Sequence, residues 1–179
     1  MSLRNAFLLA ASLCLISACE KIDLEEENGD SDAEHIVPHT VGMGTQEAPY
    51  TVEQVINGGL STKASWFIGY VVGSTYNTMD NCVFEEETSY TSNILLSDNP
   101  NCESADECIP IELKSATLQK KFSLYYNSGN FRQCVILSGR FGQYFRRNGI
   151  RDLRDGYWLP GFDYHDILPT DWEEIENKY

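Results

Sequence analysis

Bases are scarce in this chain of 179 residues: 13 Lys and Arg stand against 27 Asp and Glu, for a formal net charge of -14. So acidic a balance excludes a protein whose whole surface attracts nucleic acid or anionic lipid, and any anion site must be local. Histidine is scarcer still. His35 and His39 lie in or beside a strongly acidic stretch, and only His165 follows the region that reads as folded. There is no G-x-S-x-G, no H-E-x-x-H and no glycine-rich phosphate loop, so the usual signatures of acyl transfer, zinc hydrolysis and phosphate cradling are missing. No pair of carboxylates stands out for glycoside hydrolysis. The segment Asp163-Tyr164-His165-Asp166 holds one His and two acids, which reads as a solvated surface stretch rather than a metal site. The acidic runs at 85–87 and 98–107 match no calcium loop. The expectation is a protein that is not an enzyme, with no cofactor and no metal.

Long apolar runs are also lacking. The longest, Ala6 to Ile16, is too short to span a bilayer as a helix. It follows Arg4 and leads into Ile16-Ser17-Ala18-Cys19, which resembles the bacterial lipobox: small residues at the cut, then a cysteine that carries the lipid. The reading is a lipoprotein signal peptide over 1–18 and a membrane anchor through lipid on Cys19. Cleavage removes one base and no acid. Residues 20–35 then hold eight acids and one Lys, too little apolar surface to offset the entropy of ordering, so 19–47 reads as the lipidated Cys and a disordered acidic tether. Acids directly after the lipidated Cys resemble an export signal to the outer face of the outer membrane. The cell surface is favoured over the periplasmic face.

Cysteine is sparse too. With Cys14 in the signal and Cys19 lipidated, Cys82, Cys102, Cys108 and Cys134 remain. An even set in an exported chain favours disulfides over zinc, because the only close pair has five intervening residues and no supporting His. Free buried thiols are the alternative. The expected pairing is Cys102 with Cys108 across a small polar loop, and Cys82 with Cys134.

From Ala48 the texture is that of a folded domain, 48–159. Thr51 and Gln54 form a capping box for a short helix that Gly58-Gly59 stops. Residues 65–75 (SWFIGYVVGST) are aromatic, β-branched and apolar on both faces, a buried strand. Residues 76–91 read as a long loop. Residues 92–98 and 108–113 read as two more strands, with Pro110 asking for an edge or a non-donating position. A short amphipathic helix fits 115–124, a strand bent by Gly139 fits 133–145, and Asn148-Gly149 predicts the hairpin turn into a last strand over 150–159. The tail, 160–179, ends with a capping box at Thr170 to Glu173. The order β-β-β-α-β-β behind a short helix predicts a mostly β, five-stranded, OB-like barrel.

The runs YTVEQVI, WFIGYVVG, SNILLSD, CIPIEL, SGNFRQCVILSG and the closing QYF and NGI resemble an OB-like domain family of unknown function found in secreted lipoproteins of Bacteroidota. The resemblance covers about 49–159. Related modules accompany large secreted endonucleases as accessory parts. The resemblance implies a fold and no catalytic residues.

One charge feature runs against the acidic whole. Residues 114–154 hold nine bases and one acid, Asp152. Five of the nine are Arg around the last hairpin, where OB-folds grip oligonucleotides or oligosaccharides. Tyr144, Arg146, Arg147 and Arg151 are the candidate ligand-binding residues, since Arg forks recognise sulfate, phosphate or carboxylate and aromatic faces stack on sugars or bases. The expected function is a non-catalytic binding module for a polyanion or glycan, with nucleic acid not favoured. The alternative is a subunit that docks on a partner envelope protein.

Overall fold

A computed structural model describes residues 35–168. The signal peptide, Cys19, the tether before His35 and the capping box at Thr170 to Glu173 lie outside them. Helix α1, Val52–Asn57, starts as its sequence dictates: Thr51 Oγ1 accepts from the Gln54 amide at 3.3 Å while Gln54 Oε1 accepts from the Thr51 amide at 3.0 Å. Gly58, with φ at 76°, ends it.

The strands are β1, Ala64–Thr75; β2, Cys82–Val83; β3, Asn93–Ser97; β4, Cys108–Glu112; β5, Cys134–Tyr144; and β6, Arg147–Trp158. Helix α2, Ala116–Phe122, lies between β4 and β5. The pairing runs β1-β3-β4-β6-β5, and β5 returns to β1 along Ala64 to Tyr70. The result is a closed five-stranded barrel with β2 as an extra strand on the end of β1. All pairs are antiparallel except β4 and β6, which meet at the single parallel bridge Ile111↔Ile150.

Alternation divides the barrel cleanly. Phe67, Val71, Ile94, Leu96, Ile109, Ile111, Val135, Leu137 and Ile150 point inward and are at most 1% exposed, with Val52 and Val55 of α1 and Phe122 of α2 packed among them. The opposite parity forms a second apolar cluster on the outer wall, from Ile68, Tyr70, Val72, Leu95, Cys134, Ile136 and Tyr157. Val41 and Tyr164, from the two flanking segments, join that outer cluster.

Several expectations are corrected here. The last hairpin does not turn at Asn148-Gly149: Tyr144 pairs with Arg147, so the turn is Phe145-Arg146, both with positive φ (50° and 62°). A turn at 148–149 would set Arg147 opposite Ile150, on the inward face, and bury a guanidinium; core burial overrides the Asn-Gly signal. Gly149 is needed instead for close approach, because a Cβ there would lie 2.4 Å from the Pro110 carbonyl oxygen. β4 is not an edge strand; Pro110 sits where its neighbour β6 touches it at one bridge only.

The described part of the tether is fastened to the barrel. His35 stacks on Tyr157 with centroids 4.4 Å apart, and the Tyr157 hydroxyl donates to the Ile36 carbonyl at 2.7 Å. Of 163–166, Asp163, His165 and Asp166 are exposed, as expected, but Tyr164 is fully buried and donates its hydroxyl to Asp98.

Candidate functional site

The outward residues of the β5-β6 ribbon run in cross-strand pairs: Arg140↔Arg151, Gly142↔Gly149, Tyr144↔Arg147. Two of the expected site residues stay together and two part from them. Arg151 is held by Glu112 through two bonds, Nε to Oε2 at 3.1 Å and Nη2 to Oε1 at 3.3 Å, a fork that fixes its direction. Tyr144 is half-buried, and its hydroxyl pKa is raised, first by burial and then by the Glu112 charge. Both residues therefore look toward β4.

Arg146 and Arg147 sit at the turn and line a groove of about 310 Å³ with Phe145 on one side and Asn77, Thr78, Met79 and Asp80 on the other. That second wall is the β1-β3 connection, whose sequence shows only a long loop. Its short helical turn, Met79–Asn81, buries Met79 against the outer cluster and so carries its neighbours up to the arginines. Sequence had no signal for this meeting, because it depends on which way a long loop folds. Arg147 Nη1 also pairs with Asp106 Oδ1 at 2.8 Å, with both side chains exposed. Such a pair is worth about 0 to 1 kcal/mol and exchanges readily for another anion. Among the described residues Arg146 makes no ion pair.

Cys108 lines a neighbouring hollow with Arg146 and Arg147. All four described cysteines are free thiols. Cys102 and Cys108 are buried with their sulfurs 3.4 Å apart, so that pair is side by side as expected, though not bonded. The expected Cys82–Cys134 bridge is ruled out by register. Cys134 lies opposite Tyr70 and Cys82 opposite Thr75 on the same strand, about 16 Å apart at roughly 3.3 Å per residue, where a bridge needs Cα atoms within about 7 Å. The first strand simply continues past the point where β5 begins. Burial pushes the Cys134 thiol up to about 12 and raises Cys82 and Cys108 as well, so these groups are held as thiols at neutral pH. Among the described residues no three metal-ligating side chains cluster, and no helix is long and apolar enough to cross a membrane.

What the arrangement can do chemically is hold an anion between a cationic turn and a polar loop, with an aromatic ring at its edge. Residues 50–159 match the model of a family described as a domain of unknown function, DUF6359. The match spans more than half of the chain, and the chain belongs to that family. No curated protein and no solved structure matches it.

Proposed function

We propose that this chain is a non-catalytic binding module, an OB-like barrel tethered to the outer membrane by lipid on Cys19, whose groove takes a polyanion or acidic glycan. The observation that carries the reading is the groove between the β1-β3 connection and the β5-β6 turn, with Arg146 unpaired among the described residues and Arg147 only weakly paired. OB-folds use the outer face and the loops at this place for extended ligands. The turn supports it further: two non-glycine residues in the left-handed region cost stability, and such strain collects at functional sites.

The test replaces Arg146 and Arg147 with Ala and titrates dextran sulfate and alginate. Affinity should fall severalfold and its salt dependence should flatten, while the melting temperature stays within a degree or two, because exposed charges contribute little to stability. Wild-type protein that binds neither polymer at low salt sinks the reading and favours the docking subunit.

Export also bears on the thiols. In an oxidising compartment the adjacent Cys102 and Cys108 close to a disulfide, giving their two hydrogens to a disulfide-class oxidant, and Cys82 and Cys134 stay free. Non-reduced peptide mapping of protein recovered from the cell envelope should find the 102–108 bridge alone. A peptide joining Cys82 to Cys134 would contradict the strand register.

A further inference from the structure

We propose that the turn after α2 is a second contact for an acidic glycan, so that the chain holds one long polymer at two places. Tyr125 and Tyr126 are 54% and 49% exposed in a molecule that buries most of its large side chains. They are also held in place. Ser123 Oγ accepts from the Tyr125 amide at 3.1 Å, the Asn127 amide reaches the Ser123 carbonyl at 3.1 Å, and the Asn127 and Asn130 side chains donate to the carbonyls of Lys120 and Lys121. The two rings meet edge to face, with centroids 4.9 Å apart at 89°, which leaves ring faces open to solvent.

Lys120 and Lys121 precede them in the last turn of α2 and Arg132 follows before β5, with Lys121 over the Phe122 ring at 5.4 Å and Arg132 over the Phe131 ring at 5.0 Å; none makes an ion pair among the described residues, and no acid occurs anywhere from 113 to 151. Rigid tyrosines give large contact area at little entropic cost. Their faces suit the C–H faces of a pyranose, and the cations suit its carboxylates or sulfates. A lipid surface fits less well, because α2 has only seven residues and buries Phe122 in the core. The chain leads from the tyrosines into β5 and from β5 into the arginine turn: β5 begins two residues after Arg132 and ends two before Arg146, a strand of roughly 35 Å at about 3.3 Å per residue. A polymer that bridges this distance gains avidity that a short oligomer lacks.

The inference extends the proposed function but is tested apart from it. In the Arg146→Ala, Arg147→Ala background, alginate should still shift the ring signals of Tyr125 and Tyr126 in NMR spectra. Replacing both tyrosines with Ala should weaken polymeric alginate about tenfold, the scale of a lost stacking contact, abolish its advantage over a short oligomer and leave the melting temperature unchanged. Alginate-induced shifts of the ring signals that remain when the arginine contribution proves nil support this site and sink the groove. Tyrosine signals unmoved by alginate at low salt, or moved by phosphatidylglycerol vesicles and not by alginate, overturn the proposal.

Discussion

Gly149→Val should unfold the barrel or cost about 3 kcal/mol of stability, at the upper end of what overpacking usually does. The ideal Cβ position lies 2.4 Å from the Pro110 oxygen and 3.0 Å from Pro110 Cγ, so backbone, not a flexible side-chain end, must move. What must move is the join between β4 and β6, which has one bridge, Ile111↔Ile150. The rest of the barrel cannot compensate, because the inward side chains of both strands depend on that spacing for their packing. Gly142→Ala is the matched control. It is the cross-strand partner of Gly149, yet a Cβ there meets only Arg151 Cδ at 3.9 Å, and its effect on stability should be small. Urea unfolding of the two variants side by side decides the matter. A Gly149→Val protein as stable as wild type would mean that the barrel is not closed at this join.

The second large effect is expected at Asp98. Its two oxygens accept from the Val52 amide at 2.9 Å and the Glu53 amide at 2.7 Å, and Oδ1 accepts from the buried Tyr164 hydroxyl as well. One carboxylate thus satisfies two of the amides that a helix start leaves without partners and pins the tail segment to the barrel. Asp98→Ala strands all three donors, one of them fully buried. Hydrogen bonds to a charged group are worth about 1.5 to 3 kcal/mol each and are not additive, so a total near 3 kcal/mol is expected. Asp98→Asn keeps one acceptor oxygen and should fall between. Equal midpoints for Asp98→Ala and wild type in urea would remove Asp98 as the link between α1 and the tail.

What the sequence shows and hides follows from the range of each interaction. The capping box at Thr51 is legible because Thr51 and Gln54 are three residues apart and every bond is local. The alternation Val135, Leu137 is legible because period two is a property of the strand itself, and the order of elements carries the barrel. The true turn is not legible. Asn148-Gly149 has the better local chemistry, and only the burial of Ile150 opposite Phe141 selects Phe145-Arg146. The candidate site residues divide the same way. A surplus of arginine can be counted along the chain, but that Glu112 would claim Arg151 and Asp106 would touch Arg147 depends on β4 lying beside β6 and on the loop before it. The groove's other wall, Asn77 to Asp80, carries no distinguishing composition at all.

The outer apolar cluster has its own consequence. Val41 comes from before the family match and Tyr164 from after it, and together with Leu159 they pack with Ile68, Tyr70, Ile136 and Tyr157 on the outside of the wall. The inherited unit and the cooperative unit therefore differ in extent. In this chain the segments that seal the wall lie outside the stretch that defines the family, and they decide how much of the wall a partner can touch.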